Sequence, residues 1–221
     1  MKLFTFTALL FFVPAIHAQE WENLFNGKDL TGFVIDGPKE WKDKADGNKM
    51  KPLWSVDNGI IKTTGKAYGF IRYDRKFKDF TIHVEYRLTP SKDVNSGVGI
   101  RTVPWVDKTT KEAHESRPSN FAYEVQILDD ADAKPTDHTT ASLYRYVAAS
   151  AKNHKPGPEW NAIEIECKGP NIRIEMNGVE VLKVDQSKNP KIKDKPLEGY
   201  VCVQSHSGVV EFRAIKIKEW K

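Results

Sequence analysis

Cysteine is scarce: the chain of 221 residues has two, Cys167 and Cys202. They form no CxxC pair and no zinc-finger spacing, which argues against thiol–disulfide exchange and a thiolate zinc site. Both fall in alternating apolar stretches, and a bridge needs close, facing Cβ atoms. Two separate thiols are therefore expected. An excess of one charge is also missing. Lysine and arginine number 34 against 30 aspartates and glutamates, a formal net charge of +4. The lysines are scattered, so nucleic acid is not an expected partner. Beyond the N-terminus no apolar run is long enough to span a bilayer, so no transmembrane segment is expected. Phosphate loops, dinucleotide fingerprints and GxSxG elbows are absent, as are internal repeats and low-complexity tracts.

The N-terminus reads as an address. Lys2 gives a positive start, Leu3 to Val13 is a short apolar run, and Ile16-His17-Ala18 ends on a small residue. This is the pattern of a secretory signal peptide over residues 1–18, with cleavage after Ala18. The protein is expected to be exported, to the periplasm or beyond the cell. Residues 19–221 then form one domain with ample length for a single core.

What fills that domain is β-structure. Period-two segments recur between turn residues. Trp54–Lys62 and Asn171–Val184 read as hairpins around Asn58-Gly59 and Asn177-Gly178, the pairing that type I′ turns favour. Gly69–Tyr73, Phe80–Leu88, Gly97–Val103, Phe121–Asp129, Trp160–Lys168, Gly199–Ser205 and Val209–Lys218 read as strands. In the last, Val210 and Phe212 are in one phase and Ile215 and Ile217 in the other, which predicts a bulge near Arg213. About ten strands without a long amphipathic helix mean an all-β sandwich or barrel. Two long connections, Asp36–Pro52 and Asp130–Pro158, interrupt the pattern. Long connections in compact domains tend to be functional or disordered, and the tyrosines of the second favour an ordered loop.

The strand Phe121–Asp129 is the most informative. Alternation puts Tyr123, Val125 and Ile127 on the core face and Glu124 and Gln126 on the other. That second face is either a wet surface or a polar cleft. Glu85, Arg101, Glu124 and Gln126 lie on the non-core faces of three strands, and converge on one surface if those strands are neighbours. There Arg101 could hold a carboxylate or a substrate oxygen through its forked donors. His206, after Gln204 at a strand end, is either structural or a proton shuttle or metal ligand at a cleft rim. His83 shares the face of Glu85, and loop residues His138 and His154 have weaker claims. Trp160 is either core or a stacking platform for a sugar ring. Asn95 is either a turn residue or a polar group at the cleft edge. Tyr144 and Lys152 come from the long connection, and Lys152, Asn95, Trp160 and Gln204 are the candidate substrate contacts. Glu124 has Gln at i+2 and Leu at i+4, so a second in-phase carboxylate for ordinary two-carboxylate glycosidase chemistry is missing.

Nine short motifs occur in order, LFNGKDLTGF, W-x-V-x-NGII, FKDFTIHVEYRL, NSGVGIR, YEVQILDD, SLY, EWNAIEIECKG, NGVEV and VQSHSGVVEFRAIKIKEW, in a match that runs from Trp21 to Lys221. Together they resemble the bacterial 3-keto-disaccharide hydrolase domain family. SHSG departs from a His-Gly pair, and FRAI from FRNI, leaving Ala214 where an Asn is usual. The resemblance implies a concanavalin/laminarinase-like jelly roll of two curved antiparallel sheets with a sugar cleft on the concave face. It implies an oligosaccharide or glycoside substrate whose sugar carries a C3 ketone. It further implies functional positions at Glu85, Asn95, Arg101, Glu124, Gln126, Tyr144, Trp160 and His206. In the chemistry it suggests, His206 or Glu124 is the base, and Arg101, Gln126 or a divalent cation polarises the ketone. Tyr144 is then the acid. A calcium ion, catalytic or structural, is left open, with no EF-hand-like loop to hold it. So is the oligomeric state. The competing readings are a non-catalytic carbohydrate-binding module on the same sandwich and an ordinary glycoside hydrolase.

Overall fold

The computed structural model describes residues 20–43, 49–90, 93–105 and 116–220. The expected signal peptide, residues 1–18, lies outside them. The described residues form an all-β sandwich of two antiparallel sheets, together with a separate two-stranded ribbon. The larger sheet has the order β13 (Val179–Asp185), β12 (Asn171–Met176), β11 (Asn161–Lys168), β8 (Phe80–Leu88), β15 (Val210–Glu219), β6 (Ile60–Thr63) and β5 (Trp54–Asp57). The short β1 (Glu22–Asn23) pairs with β15. The smaller sheet runs β10 (Tyr123–Leu128), β9 (Asn95–Thr102), β14 (Tyr200–Ser205), β7 (Gly69–Tyr73) and β2 (Phe33–Asp36).

The core is the sum of the inward faces that alternation predicts. Ile82, Val84 and Tyr86 of β8, Ile163 and Ile165 of β11, and Ile215 and Ile217 of β15 are all buried. They belong to one cluster with Val98 and Ile100 of β9, Tyr123, Val125 and Ile127 of β10, and Val201 and Val203 of β14. Burial of each such aliphatic side chain stabilises the fold by about 1.5–3 kcal/mol. Cys167 lies in this core on the larger sheet; Cys202, on the smaller sheet, packs with Phe70 and Trp105. Both are free thiols.

Local predictions hold at both hairpins. Asn58 and Gly59 have φ of 50° and 76°, and Asn177 and Gly178 have 49° and 80°; the positive φ pairs fit the primed turns. The β15 register shifts between Phe212 and Ala214, the bulge expected near Arg213. The first long connection is more regular than its charge suggests: β3 (Glu40–Lys42) and β4 (Met50–Pro52) pair within it. The opening strand starts later than alternation alone indicates. Pro118 nucleates a one-turn helix, α1 (Pro118–Phe121), so Phe121 belongs to the helix and β10 begins at Tyr123. The second long connection is ordered and runs along β10 as a partner. Ala141 N donates to Gln126 O at 2.9 Å, Gln126 N to Ser142 O at 3.1 Å, and Tyr144 N to Glu124 O at 2.9 Å. These bonds cover the outer edge of the small sheet, whose backbone groups need partners.

Candidate active site

The side chains that alternation sends away from the core on the small sheet build one pocket. Register puts Glu124 of β10 opposite Gly99 of β9, and Gly99 opposite Cys202 of β14. The next row is Gln126 opposite Gly97, with Gln204 of β14 opposite Phe70 of β7. The middle strand therefore contributes two glycines and no side chain. Across that gap Gln204 Nε2 donates to Glu124 Oε1 at 2.5 Å. A Cβ at position 97 would stand 2.9 Å from both Cγ and Oε1 of Glu124, and one at position 99 would stand 2.4 Å from Cys202 Sγ. The glycines are the floor.

Around the floor stand Tyr68, Asn95, Arg117, Ser119, Gln126, Tyr144, Arg145 and His206. α1 brings Arg117 and Ser119 over β10, and the loop that pairs with β10 delivers Tyr144 and Arg145. The bridge between Asn95 and Ser207 sets the rim beside His206, and its Asn95 N–H donates to Ser207 O at 2.8 Å. The His206 ring meets the Tyr68 ring edge-on at 5.1 Å, and the Arg117 guanidinium lies 5.0 Å from the same Tyr68 ring.

Glu124 is 4% exposed. Burial pushes its pKa up to about 7; bonds from Gln204 and Ser119 and the charges of Arg117 and Arg145 only partly oppose this. A buried carboxyl at that value is half charged near neutral pH, the condition for proton transfer in either direction. His206 is shifted down, first by desolvation and then by Arg117, so its ring is neutral near pH 7. Among the described residues the buried oxygens Oδ1 of Asn95, Oε1 of Gln126 and Oε1 of Gln204 have no hydrogen-bond partner. These three acceptors are open to a hydrogen-bond donor.

The placement sorts the expected residues. Glu124, Gln126, Gln204, His206, Asn95 and Tyr144 come together. The expected convergence of Arg101 and Glu85 on this surface is corrected. At Arg101 the β9–β14 register shifts and φ is +55°, so a bulge turns the side chain away from the pocket. Its guanidinium is fully buried, donating to Gly169 O at 2.7 Å and lying 3.4 Å from both Lys78 O and Gln186 Oε1. It fastens one end of the sandwich together. Glu85 is on the outer face of the larger sheet, bonded to Arg213 and, at 3.3 Å, to His83. Trp160 is on that face too, with the guanidiniums of Arg87 and Arg213 at 4.8 and 4.4 Å from its ring, so it is neither core nor part of the pocket. Lys152 donates to Asp130 O and, with His154, pins the long loop. His138 packs behind Tyr144 with ring centroids 4.8 Å apart.

Four pocket residues and the floor escape sequence reasoning. Arg145 could have been noticed beside Tyr144 in LYRY, and the GVG of β9 as a strand kept clear of side chains. Tyr68, Arg117 and Ser119 come from segments without periodicity and carry no local signal.

Two stacked antiparallel sheets, with a carboxylate-centred, carboxamide-lined pocket outside the smaller one, define an all-β sandwich of the concanavalin-like type. The chain belongs to the 3-keto-alpha-glucoside-1,2-lyase-like domain family, whose model matches residues 20–218. It is 26% identical over 242 residues to a 3-keto-disaccharide hydrolase of Bacteroides thetaiotaomicron, covering 92% of this chain and 79% of that one. Among solved structures it is similar to a candidate glycosyl hydrolase of Parabacteroides distasonis, with TM-score 0.70, 21% identity and coverage of 91% and 94%. A carbohydrate-binding module of Bacillus subtilis shares the fold at TM-score 0.56 and 11% identity, with coverage of 85% and 96%.

Proposed function

We propose that the protein cleaves 3-keto-glycosides, 3-keto-disaccharides among them, by elimination and hydration. The observation that carries this reading is Glu124, a lone buried carboxyl poised at about 7 inside a polar pocket. A ketone at C3 acidifies the hydrogen on C2. Glu124 removes that proton, and the electron pair moves onto the C3 oxygen as an enolate. The enolate re-forms the ketone as the C1–oxygen bond breaks and the leaving oxygen takes a proton. Water then adds its oxygen to C1 of the enone, C2 regains a proton, and one water has been consumed. The reaction needs one base, one donor to the enolate oxygen and one acid. Arg117 supports the second role, which Arg101 is placed too far away to fill. Tyr144, on the pocket wall, gives the leaving oxygen its proton and regains one from the added water, while Glu124 returns its proton to C2; the neutral ring of His206 in the same pocket can accept a proton but not give one. One carboxylate suffices because no glycosyl-enzyme forms, unlike retaining glycosidases.

The donor set does not fit a divalent cation. Glu124 is the pocket's one carboxylate among the described residues, and two guanidiniums act on it. No cluster of three His, Cys, Asp or Glu side chains suited to a metal occurs among those residues either. The leader-like first 18 residues support an encounter with the substrate outside the cytoplasm.

The test uses paired glycosides, normal and 3-keto, with wild type, Glu124→Gln and His206→Ala. Cleavage of the keto form alone is expected, with kcat/KM rising with pH through about 7 as Glu124 loses its proton. Glu124→Gln should lose at least about 100-fold, the usual scale for a positioned base. Full turnover by both variants would sink the assignment. Cleavage of the normal glycoside would make the protein an ordinary glycosidase, and binding without cleavage would make it a binding module.

A further inference from the structure

Tyr68 lines the pocket from just outside β7. Two residues before Phe70, it shares the outer face of the small sheet and packs there against Phe70, Trp105 and Cys202. Its ring meets Phe70 edge-on at 5.3 Å, Trp105 at 5.2 Å and His206 at 5.1 Å, and the Arg117 guanidinium lies 5.0 Å from it. Packing of this kind fixes the ring plane, and with it the direction of the phenol.

The phenol is hydrogen-bonded to the side chain of Gln204. Gln204 Oε1 has no hydrogen-bond partner, so the phenol oxygen is met by Nε2, which also donates to Glu124 Oε1 at 2.5 Å. One planar amide group therefore spans Tyr68 and Glu124. Its two N–H bonds diverge, which sets the phenol and carboxylate oxygens roughly 5 Å apart. In a ketone the neighbouring carbon and the carbonyl oxygen are about 2.4 Å apart. A C2–C3=O unit can thus face both groups at once, C2 against the carboxylate and the oxygen against the phenol. The pocket volume is about 60 Å³; with about 30 Å³ for a water in the liquid, this admits the reacting edge of a sugar and not a whole ring.

Burial raises the phenol well above its ordinary value, the charge of Glu124 raises it further, and Arg117 opposes both. Tyr68 therefore keeps its proton at neutral pH and serves as a donor. When Glu124 takes up a proton its charge disappears. The phenol then becomes the stronger donor at the moment negative charge reaches the substrate oxygen.

We propose that Tyr68 is a catalytic residue whose O–H donates to the C3 oxygen of the substrate as the ketone becomes an enolate. The assignment rests on the 3-keto-glycoside reading and gives its enolate a direct donor, with Arg117 acting through the Tyr68 ring. The C2–H bond breaks, its proton goes to Glu124 and its electron pair ends on the C3 oxygen. The phenol proton stays on Tyr68, hydrogen-bonded to that oxygen until the C1–oxygen bond breaks and the ketone re-forms. A carboxylate base opposite a protonated oxygen donor is a recognised arrangement for enolising a ketone.

Tyr68→Phe keeps the ring and its neighbours and removes only the donor. The variant is compared with wild type on methyl and 4-nitrophenyl 3-keto-glucosides. Loss of the donor should lower kcat about 100-fold or more for both leaving groups, the usual scale for one oxyanion hydrogen bond, with KM nearly unchanged. A loss confined to the methyl glycoside, the one whose leaving oxygen needs an acid, would make Tyr68 the acid and overturn the assignment. Full turnover in Tyr68→Phe beside an inactive Glu124→Gln would overturn it too, while leaving the 3-keto-glycoside reading in place. Replacing Tyr68 with 3-fluorotyrosine keeps a phenol donor and should keep turnover; a loss as deep as in Tyr68→Phe would mean that packing and not the hydroxyl is at stake. Wild type that cleaves neither glycoside would sink the reading and this assignment together.

Discussion

Glu124 is placed where a carboxylate destabilises the folded chain. Its carboxyl has an ordinary value of 4.5 and stands at about 7 in the fold, raised by burial. Between those values the folded protein keeps a proton that the unfolded chain has released. Stability therefore falls as pH rises from 4.5 to 7, by about 3 kcal/mol in all, and the loss persists above pH 7. Glutamine at this position cannot ionise and still offers an oxygen to Gln204 Nε2. Glu124→Gln should then match wild type near pH 4.5 and exceed it by up to about 3 kcal/mol at pH 8. Urea unfolding at the two pH values checks this, and an equal difference at both would mean that the carboxyl is not held in this way. The sign separates Glu124 from a structural acid. A carboxylate retained for an ion pair contributes stability when charged, whereas this one costs stability and offers proton transfer instead.

At the level of strands, β9 decides what the pocket can be. Gly97 has ordinary strand φ, so its value lies in the missing side chain: an added Cβ meets Glu124 Cγ and Oε1 at 2.9 Å and Val125 O at 3.2 Å. The Glu side chain can swing aside, while the backbone carbonyl yields little. Gly97→Ala should leave a folded protein with a modestly lower Tm. Its turnover should drop at least tenfold, with the alkaline-rising limb displaced, because the Glu124–Gln204 bond is disrupted. A full-rate variant with an unchanged pH profile would show that the floor is not needed. The same strand explains where sequence reasoning stops. Alternation located Glu124 and Gln126 because period two and one buried face fix which way each points. The two NG turns and the Arg213 phase change were legible for similar reasons. Arg101 was misplaced because alternation assumes an unbroken pleat, and a bulge with positive φ at a non-glycine residue leaves no mark in GIRT. Glu85 and Trp160 have the right parity for a non-core face, but parity does not say which of the two sheets a strand joins. Arg117 and Ser119 reach the pocket through tertiary placement of one helical turn, for which no periodic signal exists.

Across the whole molecule, the sandwich supports this partly unsatisfied pocket through its core and not through a cross-link. Cys167 faces the interior from the larger sheet. Cys202 lies on the smaller sheet, on the face away from that interior, against Phe70 and Trp105. No rotamer brings two sulfurs on opposite sides of a sheet together, because a disulfide requires Cβ atoms about 4 Å apart. Burial also silences both thiols: Cys167 is pushed up to about 12 and Cys202 upward as well, so neither carries appreciable thiolate near neutral pH. Ellman's reagent should therefore titrate no thiol in the native protein and both in guanidinium chloride. The Tm should be the same with and without dithiothreitol, even for protein recovered from an oxidising compartment. A Tm lowered by reductant would mean that the two sheets are covalently tied, which this arrangement forbids. Rapid native labelling would mean that one sheet opens locally, and the face at risk would be the one bearing Cys202 and the Gly97–Gly99 floor. Thiol exposure and loss of turnover would then follow the same denaturant dependence, because Cys202 and Glu124 flank Gly99 in one row of the small sheet.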